Sequence, residues 1–298
     1  MRKRHYFLGI HANPPKSLIW VYIILPFVLA IVFYSMYSEI YLTENPNGKI
    51  VPSFSMMATR IGELAFTLDS RTHTYLFWAD TKASMYRFLC GLSFGAVTGL
   101  LLGMNIALFP TLQYIALLGI VALSFVPMMA ILPILLIVVG IGDGAKITLI
   151  FLSVVFFITR DIYATTKEIP RELLVKARTL GVSECALVYR IVLPMIMPRL
   201  FETTRQSLGI AWWALIAGEG IAATEGLGYR IFLVRRYFDM AAIIPYVAWI
   251  TILAFTLYYV LLNTERVVYP WKHPDKKNRF VEWIVTSVKK IYPRHSTH

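Results

Sequence analysis

Six long apolar runs, at 18–37, 84–108, 112–139, 146–163, 196–217 and 241–263, constrain this chain more than any other feature. Each is close to the ~20 apolar residues that a helix needs to cross the hydrocarbon core of a bilayer. Spread along the whole sequence, they exclude a soluble domain and a protein held by one anchor. Of 298 residues 57% are hydrophobic and only 15% are charged, and the mean hydropathy is +0.62. The predicted fold is an all-α polytopic membrane protein with six transmembrane helices.

Six spans put both termini on one side. Of the 29 lysines and arginines, 20 fall in the two tails and the loops on that side, among them Arg2, Lys3, Arg4, Arg160, Lys167, Arg171, Arg199, Lys272 and Lys277. The bias assigns both termini and the stretch 165–194 to the cytoplasm. The net charge of +12 therefore points to the lipid bilayer as partner and not to nucleic acid, because the bases sit at the ends of apolar runs. Met1 to His5 are positive, but the following run spans, leads into Glu39 and Glu44 and has no small-residue cleavage site, so a retained helix is expected.

The chain then divides into a cytoplasmic tail (1–17), a first span with its outer loop (18–83), a five-helix core (84–271) and a second cytoplasmic tail (272–298). In the outer loop, Phe54, Met57, Ile61, Leu64, Ala65 and Leu68 keep helical spacing after the turn Asn45-Pro46-Asn47-Gly48, which predicts a short surface helix. It serves either as structure or as contact for an external solute-binding protein. The tail 278–292 alternates Phe280, Val281, Ile284, Val285 and Val288 with Arg279, Glu282, Lys289 and Lys290, the pattern of an interfacial amphipathic helix.

The second span carries Gly91, Gly95, Gly99 and Gly103, every fourth residue, leaving a helical face bare for close packing. The third contains Ser124-Phe125-Val126-Pro127 and Leu132-Pro133, where proline breaks the hydrogen-bond ladder, either kinking the helix or opening a solute path. Gly140 to Lys146 is no phosphate loop, because Ala145 and Ile147 flank the lysine where glycine and a hydroxyl are needed. In the fifth span Glu219 is costly in lipid unless paired or facing water. Glu225, Arg230, Arg235 and Arg236 are its neighbours in sequence, and a polar gate and a pinning salt bridge both fit. Cys90 and Cys185 are not placed to bridge, and the histidines (5, 11, 73, 273, 295, 298) lack ligand spacing, so no metal and no catalytic site is expected.

Between the fourth and fifth runs lies the polar stretch 165–194. Leu173, Leu174, Ala177 and Leu180 keep helical spacing up to Gly181; Ser183 can cap a second helix that continues to Pro194. A basic helix-turn-helix between spans suits docking to another protein.

Gly181 followed by nine residues and Ile191-x-Leu193-Pro194 resembles the cytoplasmic signature of importer-type ABC transporter permeases. That signature usually opens Glu-Ala-Ala; here Val175, Lys176 and Ala177 stand there, so the polar contact falls to Arg171, Glu172, Lys176 or Arg178. From about 80 to 271 the chain is similar to permeases of the nitrate, taurine and alkanesulfonate group, through Thr81-Lys82-Ala83-Ser84, Ile131-Leu132-Pro133, Gly140-Ile141-Gly142 and Glu225-Gly226-Leu227-Gly228-Tyr229. Residues 222–237 look most like a branch associated with urea or guanidine carboxylation.

The resemblance implies a type I, MetI-like core in the bacterial inner membrane: a homodimer with two ATPase subunits below and a periplasmic or lipid-anchored solute-binding protein above. ATP and Mg would bind the ATPase subunits, and this chain would carry no cofactor and no enzymatic activity. It implies coupling through Arg171, Glu172, Lys176, Ala177, Arg178, Gly181 and Pro194, and a path lined by Phe125, Met128, Met129, Trp212, Trp213 and Glu219. The solute would be nitrate, a sulfonate such as taurine, bicarbonate or a urea- or guanidine-like molecule. An ion-coupled secondary transporter is the alternative; it would show two related halves or ionisable groups in mid-span.

Overall fold

The computed structural model describes residues 16–272 except 47, 71 and 72, with side chains from Val21 onward. The N-terminal tail and the amphipathic stretch 278–292 lie outside the described residues. Every regular element among the described residues is helical, and the chain divides into two compact units, Met1–Tyr75 with Val234–Pro245 and Leu76–Leu233 with Tyr246–His298.

In the first unit α1 (Lys16–Glu44) runs through Pro26 and on past the apolar run to include Glu39 and Glu44. The surface helix expected from sequence is α2 (Phe54–Phe66), which Ser53 caps by accepting a bond from the Met56 N–H at 3.3 Å. The connection folds back on α1: the Tyr34 hydroxyl donates to the Pro52 carbonyl at 2.8 Å, and the Tyr34 ring meets Phe54 edge-on at 5.4 Å. Arg60 of α2 bridges Glu63 at 2.8 Å and Asp239 at 3.0 Å, and the Glu63 hydrogen bond, with the Asp239 charge, holds its pKa above the ordinary value.

The second unit is built on α3 (Leu76–Leu108) and α6 (Asp143–Lys167). The glycine face of α3 is pressed on α6. A Cβ at Gly91 would stand 2.7 Å from Ile150 Cβ, one at Gly99 2.8 Å from Ile158 Cγ2, and one at Gly103 2.6 Å from the Thr159 carbonyl, while Gly95 faces Val154. Ile150, Val154, Ile158 and Ile162 are fully buried and recur every fourth residue, so an aliphatic ridge of α6 fills the groove the glycines leave.

The third apolar run forms two helices, α4 (Pro110–Ser124) and α5 (Met128–Val138), bent by 101°. Pro127 disfavours a helical Val126 and caps α5 with extended backbone; α5 runs on through Pro133, so only the first of the two prolines breaks the run. After Gly140, at φ +91°, the chain turns into α6. Helix α9 (Leu193–Ala222) packs on α6, Phe88 of α3 stacking on Trp212 of α9 at 4.4 Å. It is followed by α10 (Leu227–Arg235) and α11 (Met240–Val268).

Four helices are long and apolar enough to cross a membrane: Val21–Glu44 within α1, α3, α6 and α11, and the bent pair α4 and α5 makes a fifth if it is one span. The 30-residue α9 is long enough, but Arg199, Glu202, Arg205 and Glu219 keep it outside that set. The described residues thus give four or five apolar spans where the sequence predicts six.

Gly99→Leu should pry α3 from α6 and cost about 1–3 kcal/mol, the usual range for overpacking. In detergent it should lower the unfolding midpoint by several degrees, whereas Gly62→Leu, whose Cβ would meet nothing within 4 Å, should leave it unchanged.

Candidate functional site

Helix α6 ends where Pro170 cannot continue its ladder, and α7 (Arg171–Thr179) starts at once. Glu172 lies in its first turn and Lys176 and Arg178 in its last, each placed favourably on the helix dipole. Gly181, at φ +79°, closes α7: its N–H donates to the Arg178 carbonyl at 2.9 Å and the Val182 N–H to the Ala177 carbonyl at 3.2 Å. This pair of bonds is the Schellman closure, which needs the left-handed backbone that glycine adopts freely. Ser183 then caps α8 (Glu184–Leu187), accepting from the Ala186 N–H at 3.3 Å. The Arg178–Glu184 pair across the turn, 3.0 Å apart and largely exposed, adds little.

The second helix does not stop at Pro194, as the sequence reading had it. It passes through a π-helical segment, Val188–Val192, in which the Leu193 N–H donates to the Val188 carbonyl, and continues as α9 with Pro194 in the first turn, where a missing N–H costs nothing. The hairpin is thereby fused to the longest helix after α3. Arg171, Glu172, Lys176 and Arg178 are exposed along α7 beside Leu173, Val175 and Leu180, the last 83% exposed; Ala177 and Leu187 face inward. Pro194 is set apart from them by α8 and the π segment. A charged helix that also exposes three large aliphatic side chains is an unfilled contact surface.

At the other end of α9 a buried polar cluster ties α3, α6, α9 and α10 together. Glu219, fully buried, accepts from Arg87 Nη1 at 2.7 Å, from the Ser84 hydroxyl at 2.8 Å and from the Gly228 N–H at 2.9 Å. Arg87 also donates to Asp143 at 2.7 Å and to the Glu225 carbonyl at 2.9 Å. Asp80 accepts from Arg230 at 2.7 Å and from the Gly226 N–H at 2.9 Å. Burial alone would lower the Arg230 pKa; its bonds and attraction to Asp80 outweigh that and raise it. The two glycines are sterically required, since a Cβ on Gly226 would lie 2.5 Å from Glu219 Oε1 and one on Gly228 2.6 Å from the Ile216 carbonyl.

Glu219 is therefore paired with Arg87, from 132 residues away, while Arg230 pairs with Asp80; Glu225 meets the cluster through Arg87. Asp80, Ser84, Arg87 and Asp143 were missed in sequence because the runs hid them: α3 starts eight residues before the apolar run at 84, and Asp143 reads as turn. An arginine inside a predicted span was the available signal.

Of the residues expected along a path, Met128 and Trp213 line one cavity at the α4–α5 break, and Phe125 stands at its edge, 6.0 Å from the Arg160 guanidinium. Met129 is half-buried and outside that lining, Trp212 points inward onto Phe88, and Glu219 belongs to the buried cluster.

A bundle of apolar helices with a polar hairpin set between α6 and α9 defines a multi-pass membrane protein. Over residues 95–268 the chain matches the family described as binding-protein-dependent transport system inner membrane component, and it belongs to that family of ABC transporter permeases. It is 30% identical over 194 residues to the taurine transport system permease protein TauC of Escherichia coli (strain K12), covering 65% of this chain and 70% of that protein. Its fold is shared with the MetNI methionine ABC transporter in inward-facing conformation, at 19% identity and a TM-score of 0.57 over 67% of this chain and 99% of that one. It is shared too with a bacterial alginate ABC transporter in complex with its pentasaccharide-bound periplasmic protein, at 14% identity and a TM-score of 0.56 over 85% and 97%.

Arg87→Gln should cost about 3–5 kcal/mol by leaving the buried Glu219 without its cation, Glu219→Gln should cost less because Arg87 keeps Asp143, and the double variant should recover part of the first loss. Unfolding of the four proteins in detergent measures the coupling.

Proposed function

We propose that this chain is the translocation subunit of an ATP-driven importer of a small polar solute, and that α7 is the element through which a separate ATPase drives it. One observation carries the reading. An exposed, charged and partly apolar α7, closed rigidly at Gly181, is continuous through α8 and the π segment with α9, so displacement of α7 is transmitted to a helix reaching across the bundle.

In this reading α9 is the sixth crossing, both termini lie in the cytoplasm, and two copies form a path at their common axis. ATP and Mg bind the ATPase subunits; closure of that pair draws the two α7 helices together and turns the path outward, toward a solute-binding protein. Such coupling requires that α7 interact differently with the closed and open ATPase. Arg171, Glu172, Lys176 and Arg178 supply the polar contacts and Leu173, Val175 and Leu180 the apolar ones. Likeness to a taurine permease favours a small solute that carries a sulfonate or similar oxyanion group.

Purification of the chain from its native membrane should bring a nucleotide-hydrolysing subunit with it, and uptake should stop on ATP depletion with ion gradients intact. Uptake that persists would point to ion coupling instead. Gly181→Val meets no steric contact within 4 Å but strains a φ of +79°. It should abolish uptake while the protein still inserts, measured as transport in proteoliposomes normalised to permease content.

A further inference from the structure

The geometry points to a binding site for a small organic oxyanion, a sulfonate or carboxylate, in the cavity at the α4–α5 elbow, with Arg160 as its cationic group. The cavity is about 220 Å³, below the ~300–1,000 Å³ of sites for drug-sized ligands and suited to a solute of a few heavy atoms. It is lined by Ser124 and Met128 at the break, Ser153 and Arg160 on α6, and Trp213 on α9.

Arg160 lies seven residues before the Lys167 end of an apolar helix. Its neighbour in sequence, Asp161, is held by Arg199 at 2.6 and 2.7 Å and by the Thr203 hydroxyl. Among the described residues Arg160 makes one hydrogen bond, donating from Nη1 to Ser124 Oγ at 3.0 Å, and sits 6.0 Å from the centre of the Phe125 ring. Most of the five N–H donors of the guanidinium are thus left for a ligand. Ser124 in turn donates to the Val121 carbonyl at 2.7 Å, one of the acceptors freed where α4 ends. An exposed guanidinium that meets no carboxylate among the described residues, beside a cavity with aromatic and thioether walls, matches a charged oxyanion carrying a short apolar part. The site deepens the importer reading and rests on it for its role: a station on the path that favours anions and disfavours cations.

The test is ion quenching of Trp213, 57% exposed, in the full-length permease in nanodiscs, with Trp213→Phe subtracted to isolate its emission. Iodide should quench Trp213, and Arg160→Gln should weaken that quenching about threefold or more while Arg160→Lys retains it, as expected for a fixed charge concentrating anions. Caesium quenching should not fall in Arg160→Gln. Methanesulfonate should protect against iodide in the wild type and not in Arg160→Gln. Equal iodide quenching in Arg160→Gln and wild type overturns the site; quenching without methanesulfonate protection overturns the oxyanion assignment. Because the quenching needs no ATPase, failure of the importer reading would appear separately, as ATP-independent uptake in proteoliposomes, with the quenching pattern intact.

Discussion

Close approach of α3 to α6 is the contact on which the second unit depends. Inside lipid no hydrophobic force draws helices together, so association rests on packing and on polar bonds. The glycine face of α3 serves the first, and the same face continues into the second. Asp80, Ser84 and Arg87 precede Gly91 at spacings of three and four, and all of them, with Gly95, Gly99 and Gly103, are buried. One stripe is thus polar at one end and bare along the rest. The bare part sets the distance to α6; the polar part then reaches Asp143, Glu219 and the backbone of the loop before α10.

That arrangement holds α9 at both ends. At one end Glu219 is locked to Arg87; at the other, Arg199 grips Asp161 of α6, and Arg205 and Lys272 meet the buried Glu265 of α11 at 2.6 and 3.3 Å. Buried pairs of this kind contribute little net stability, because desolvation offsets most of the attraction. They penalise instead any rotation or slip of α9 that separates them. Between the clamps and the exposed hairpin the helix changes to π register over Val188–Val192, a rare form that is frequent at functional sites.

Composition and run length made the all-helical membrane class legible, and the glycine spacing made the tightest contact legible, because both are local properties of one helix. The α7 closure was legible too: Gly181 and Ser183 carry caps whose chemistry is fixed within five residues. What could not be read was long-range. Arg87 lies inside an apolar run with no local sign of its acid, Asp143 reads as part of a glycine-rich turn, and Glu219 has Glu225, Arg230, Arg235 and Arg236 near it in sequence, since nothing local specifies a bond across 132 residues. Proline was ambiguous for a related reason. Pro127 breaks a helix and Pro133 and Pro194 do not, and the difference lies in whether neighbouring backbone can re-form its bonds, in the π register for Pro194.

The cations of this fold divide by what neutralises them. Arg87, Arg199, Arg205 and Arg230, all in or beside the bundle, each meet a carboxylate within 2.6–2.7 Å. Among the described residues Arg160 does not, although the adjacent Asp161 is the acid of one of those pairs. On a helix, consecutive residues point about 100° apart, so Asp161 faces α9 while Arg160 faces the elbow of the broken helix. Arg160 is exposed there, so that water or a mobile anion can reach its charge. The break at Pro127 supplies both the opening and, through Ser124, a partner that keeps the side chain aimed into it. A helix broken by proline and an arginine that meets no acid among the described residues come together at one place, the cavity proposed above as an oxyanion site.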